Sequence, residues 1–123
     1  MELNLTLTDD ERHACRRAAL LLRALATGLR EVGTRQEADA CAGYADTLEA
    51  IVASGECCNV NADGKVDVEQ AAFVLEGVRD GLDNADLDEG ADFIGRDVER
   101  LNDLVFRYNS DAGKAAAGRG PGG

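Results

Sequence analysis

The sequence predicts a mainly α fold: a four-helix bundle of two helical hairpins with a short N-terminal strand. Three observations predict it. Four stretches carry apolar residues at spacings of three and four, each opening on a Thr or Asp with Glu or Gln three residues later. Glycine closes the first two, so the connections are short and neighbouring helices must run antiparallel. Aromatic residues make up 4% of the 123, and Trp is absent, so the core must be built from Leu, Val, Ile and Ala.

Residues 2 to 8 alternate polar and apolar, with Leu3, Leu5 and Leu7 on one face, which predicts a strand. Its obvious partners are Asn59-Val60-Asn61 and Lys65-Val66-Asp67-Val68. Thr8 and Glu11 form a capping box, and a helix to about Val32 buries Ala14, Ala18, Leu21, Leu22, Leu25, Leu29 and Val32 before Gly33 ends it. Thr34 and Glu37 open the second helix, which presents Ala38, Cys41, Ala45, Leu48 and Val52, flanked by Tyr44 and Ile51, and stops at Gly55. Asp67 and Gln70 open the third, with Val68, Ala71, Leu75, Val78 and Leu82 on its buried stripe. Asp86 and Glu89 open the fourth, with Ala91, Ile94, Val98, Leu101, Val105 and Tyr108. These elements make one helical domain over residues 1–108. Residues 109–123 are rich in Gly and Ala without periodicity and are expected to be a disordered, solubilising tail.

Twenty-four acidic residues against 13 basic give a net charge of −11, which argues against nucleic acid and against acidic membrane surfaces. Lys65 and Lys114 are the only lysines. This acidic, lysine-poor composition resembles that of proteins from salt-in halophiles, whose concentrated internal salt screens self-repulsion. No basic n-region precedes an apolar run, and the longest such run, residues 18–22, stops at Arg23. A cytoplasmic protein is therefore expected, with its four cysteines as reduced thiols.

Residues 59–70 hold the spacing closest to a chemical motif. They resemble an EF-hand loop, and more closely the dockerin type that enters from coil and exits into a helix. The resemblance implies a calcium site in which Asn59, Asn61 and Asp63 occupy the first, third and fifth positions. Gly64 then makes the sharp turn, Lys65 offers its carbonyl, and Asp67 is the ninth residue. Asn59 stands where Asp is usual and Gln70 where a bidentate carboxylate is usual. Only two charged ligands remain, which implies millimolar or weaker affinity. The same residues also fit a turn between extended segments, with Asp67 as a helix cap.

A second candidate is a thiol or zinc site at Cys57 and Cys58, to which Cys15 or His13 could be brought by an antiparallel hairpin. Positions 13 and 15 point about 200° apart on a helix, so the two cannot both face the pair. The acidic run Asp80 to Asp92 reads as helix caps and solvated surface. No nucleophile elbow, phosphate loop, HExxH or triad is present, and one His leaves little acid–base capacity, so no enzyme is expected. No cofactor is expected apart from calcium at residues 59–70. The resulting expectation is a non-enzymatic helical protein acting by homodimerisation or by binding a protein partner.

Overall fold

The structure is a computed structural model that describes residues 3–55 and 57–118. The elements run β1 (Leu3–Thr6), α1 (Asp9–Glu31), α2 (Arg35–Ala53), β2 (Cys57–Val60), α3 (Ala62–Asn84) and α4 (Asp88–Gly118). Helix α1 starts where the sequence places it. The Glu11 N–H donates to Thr8 Oγ1 at 3.1 Å, and the Thr8 N–H donates to Glu11 Oε1 at 2.9 Å, completing the capping box. It ends with Gly33 at φ +89°, whose N–H reaches the Arg30 carbonyl while that of Thr34 reaches Leu29.

Three expected caps differ. Thr34 precedes α2 without capping it, because its hydroxyl donates at 3.0 Å to the Leu29 carbonyl. The oxygen keeps its acceptor lone pairs but is turned back toward the end of α1, away from the first turn of α2. Helix α3 begins at Ala62 rather than after Asp67, since Asn61 supplies an earlier cap: its Oδ1 accepts from the Gly64 N–H at 2.7 Å. Asp86 does not cap α4. It sits at φ +61° in the turn after α3, with its N–H on Asp83 and that of Leu87 on Leu82, a conformation Asp tolerates better than most residues. Helix α4 then runs to Gly118, well past Asn109 where the tail was expected. The stretch includes Ala112, which packs partly buried against the core, and three further alanines, the best helix formers. Residues 119–123 of the expected tail lie outside the described residues.

The helices form a bundle in which α1 packs on α2 and α4, and α3 on α2 and α4, while the diagonal pair α1 and α3 barely meets. The two hairpins are thus α1–α2 and α3–α4. Strand β1 pairs antiparallel with β2, Leu3 opposite Val60, Asn4 opposite Asn59, Leu5 opposite Cys58 and Thr6 opposite Cys57. Of the two expected partners, the segment around Val60 pairs with β1, and Lys65–Val68 is helical. Leu5, Cys58 and Val60 enter the core, while Asn4, Thr6, Cys57 and Asn59 stay in water, as two-residue alternation requires. Leu22, Leu48, Leu75 and Leu101, one from each helix, are fully buried and anchor the core. Val32, expected inside, is exposed because it lies at the C-cap of α1. Among the described residues no helix is long and apolar enough to cross a membrane.

Two carboxylates break the apolar pattern of the interior. Glu11 is 4% exposed and Asp97 2% exposed. Arg107 donates to Glu11 Oε2 at 2.6 Å, and Arg17 grips both oxygens of Asp97, at 2.9 and 2.7 Å. Both pairs join α1 to α4. Their arginines reach water while their acids do not, so the two halves of each pair are unequal. Arg17→Met strands a buried carboxylate and is expected to lower the unfolding free energy by about 3 kcal/mol. Asp97→Asn keeps a hydrogen-bonding partner and leaves Arg17 hydrated, and is expected to cost about 1 kcal/mol. Urea denaturation of the two variants measures the difference; equal losses would contradict the asymmetry.

Candidate functional site: the cleft between α2 and the start of α3

The turn from β2 into α3 brings four of the five residues of the calcium-loop resemblance together. Asn59, Asn61, Asp63 and Asp67 line one open cleft of about 340 Å³ with Thr47 and Ser54 of α2. Alternation in β2 turns Asn59 outward, Asn61 caps the helix, and Asp63 and Asp67 lie one turn apart on α3. Two of the oxygens are already engaged. Asp67 Oδ2 accepts from the Thr47 hydroxyl at 2.5 Å, and Asn61 Oδ1 accepts from Gly64. The cleft thus mixes these polar groups and two carboxylates with the apolar side chains of Ala50, Ile51 and Val60.

The fifth residue, Lys65, is expected to offer its backbone carbonyl, but inside α3 that carbonyl points along the helix to the N–H four residues on, and the side chain is turned away from the cleft as well. Its side chain lies over Leu5, Val60, Leu104 and Tyr108, and its ammonium pairs with Glu69 at 2.7 Å, one helical turn on. Gly64 is in the first turn of α3 with no positive φ, so it is helical rather than a sharp loop corner. A side chain at this position would meet Asn61 Oδ1 at 3.3 Å, so a glycine here keeps the cap open. Among the described residues no group of three or more His, Cys, Asp or Glu side chains gathers in a way that could hold a metal ion.

The vicinal cysteines separate. Cys57 is exposed and Cys58 is buried, because consecutive residues of a strand point to opposite faces. Burial raises the Cys58 thiol pKa, and neighbouring Cys57 raises it further. Cys15 joins Cys58 in the core rather than His13, which is exposed. Its thiol is pushed up to about 12, first by burial and then by the nearby charges of Glu11, Cys58 and Asp97. Burial also raises Cys41. At neutral pH these three thiols are therefore protonated and shielded, which leaves Cys57 as the accessible one.

Sequence reasoning missed the buried acids. Their signal is present: Asp97 falls between Ile94 and Leu101 on the apolar stripe of α4, and Glu11 falls three residues before Ala14 on that of α1. Comparison of the chain with protein-family models, curated proteins and solved structures gives no match. A thiol reagent such as DTNB is expected to titrate one cysteine of the four rapidly in the native protein and the other three only on unfolding. Two fast equivalents would mean that a second thiol among Cys15, Cys41 and Cys58 is accessible and would contradict this pattern of burial.

Proposed function

We propose that the protein is a non-enzymatic helical module that acts by association, with a second copy or with a protein partner, through its outer helix faces. The placement of its phenylalanines carries this reading. The chain has three, and all are on the surface: Phe73 is 71%, Phe93 48% and Phe106 72% exposed. The core closes without them, on Leu, Ala, Val and Ile with three cysteines and Tyr108. Val66 is also exposed and lies seven residues before Phe73, two turns along the same face of α3. Leaving a phenylalanine in water forfeits about 1.5–3 kcal/mol that burial against a partner recovers. The acid-rich surface suits a cytosol of multimolar salt, where screening keeps like-charged copies from repelling one another.

A second reading is a weak divalent-cation module, favoured by the convergence of Asn59, Asn61, Asp63 and Asp67 on one cleft. One experiment separates the two. Light scattering and thermal melts in multimolar KCl, with millimolar calcium or with a chelator, are run on the native chain and on the Phe73→Ser/Phe106→Ser and Asp63→Ala variants. Association predicts a mass of two or more chains that falls to one in the double phenylalanine variant and ignores calcium. A monomer whose melting temperature rises with calcium beyond the ionic-strength effect, and whose response is lost in Asp63→Ala, would overturn that reading in favour of the second.

A further inference from the structure

A second cleft, between α1 and α4, gathers arginines on an otherwise acidic molecule. It measures about 260 Å³ and is lined by Asp10, Arg17, Phe93, Arg96, Asp97 and Arg100. Three guanidinium groups thus converge against two carboxylates, on a chain whose net charge is −11. The carboxylates do not neutralise them evenly. Asp97 is committed to Arg17 through both oxygens, which fixes that guanidinium in place. Asp10 reaches Arg100 only at 3.7 Å, the same distance as Asp103. Arg96 makes no ion pair with any described residue. It leans on the Phe93 ring at 5.8 Å from the centroid, and Arg17 does so at 5.1 Å.

Arg96 and Arg100 are four residues apart on α4, so they sit side by side on one helix face, where like charges repel. That repulsion is worth only about 0.2–0.5 kcal/mol, and an anion between the two guanidiniums would relieve it. Each guanidinium has five N–H donors in a planar fork that fits the oxygens of a phosphate; Arg17 faces the pair from α1, and Phe93 lies one turn before Arg96 on α4. We infer that this cleft is a binding site for the phosphate group of a small molecule, held by Arg96 and Arg100 with Arg17 as a fixed third donor. The site shares Phe93 with the exposed phenylalanines but does not rest on the association reading, and it has no lining residue in common with the cleft at residues 59–67.

The test follows the arginine side-chain Nε–H signals by NMR while inorganic phosphate or phenyl phosphate is added at constant ionic strength, with KCl as the control. The site predicts saturable shifts at Arg96 and Arg100 with a dissociation constant below about 1 mM, weakened about tenfold or more in Arg96→Gln. Arg96 makes no ion pair, so the variant keeps its fold, which circular dichroism checks. Arg35→Gln, which removes the same charge from an exposed position at the start of α2, should bind as the native chain does. Tighter binding of phenyl phosphate assigns the cleft to a phosphomonoester, and equal binding assigns it to the free ion; both support the site. Shifts that never saturate, that KCl reproduces, or that Arg35→Gln weakens as much as Arg96→Gln would overturn it.

Discussion

The Glu11 carboxylate is the point at which the strand, the first helix and the last helix are joined, and the closed bundle depends on it. One oxygen accepts the Thr8 N–H and so finishes the cap of α1; the other accepts from Arg107 of α4, which also donates to the Thr6 carbonyl at the end of β1. Residues 96 apart in sequence are thereby tied at a single buried group. Each hairpin needs only local contacts, since short turns and facing stripes bring its helices together. Joining the hairpins is different: it must hold distant parts of the chain against their entropy. The cross-links that do so are few. Among the described residues they include Glu11 with Arg107, Arg17 with Asp97 and the longer Asp10–Arg100 pair between α1 and α4, Thr47 with Asp67 between α2 and α3, and the two-stranded sheet. Because a buried charge costs several kcal/mol to desolvate, Glu11 stabilises this junction only while both of its oxygens are satisfied.

The helices were legible because each carries its own periodic stripe: Ala14 to Leu29, Ala38 to Val52, Val68 to Leu82 and Ala91 to Tyr108 are one-dimensional patterns. The strand was legible from Leu3, Leu5 and Leu7 for the same reason. Boundaries were harder, because a capping residue competes with its neighbours. Thr34 fits a cap on paper, yet its hydroxyl serves the carbonyl of Leu29 on the preceding helix. Asp67 fits as well, yet Asn61 lies upstream and starts the helix first. A capping pattern records what a residue can do, and tertiary structure decides which of its options is used. The buried acids illustrate the same limit. Glu11 reads as the end of a capping box, and nothing local announces that Arg107 will meet it.

The candidate sites divide similarly. Spacing placed Asn59, Asn61, Asp63 and Asp67 in one neighbourhood, and the chain does bring them to one cleft, because a strand leading directly into a helix leaves little room for them to diverge. The early start of α3 sets the remaining details, turning Lys65 toward the core and Gly64 into a helical residue. The pairing of Cys58 with Leu5 decides which vicinal thiol is buried, and that depends on strand register across 50 intervening residues. The arginine-lined cleft was invisible in sequence, since Arg17 and Arg100 become neighbours only when the two hairpins close. Both polar clefts thus lie where the hairpins meet, at the seams α2–α3 and α1–α4, with Phe93 at the second of them.

A double-mutant cycle on Glu11→Gln and Arg107→Met, read by urea denaturation together with amide exchange of β1 and β2, tests the junction most directly. A coupling energy of about 2 kcal/mol or more, with the sheet amides losing protection before those of the α1–α2 hairpin, is the expected result. Additive losses, with coupling within about 0.5 kcal/mol of zero and the sheet protected as in the native chain, would show that the bundle closes without this group.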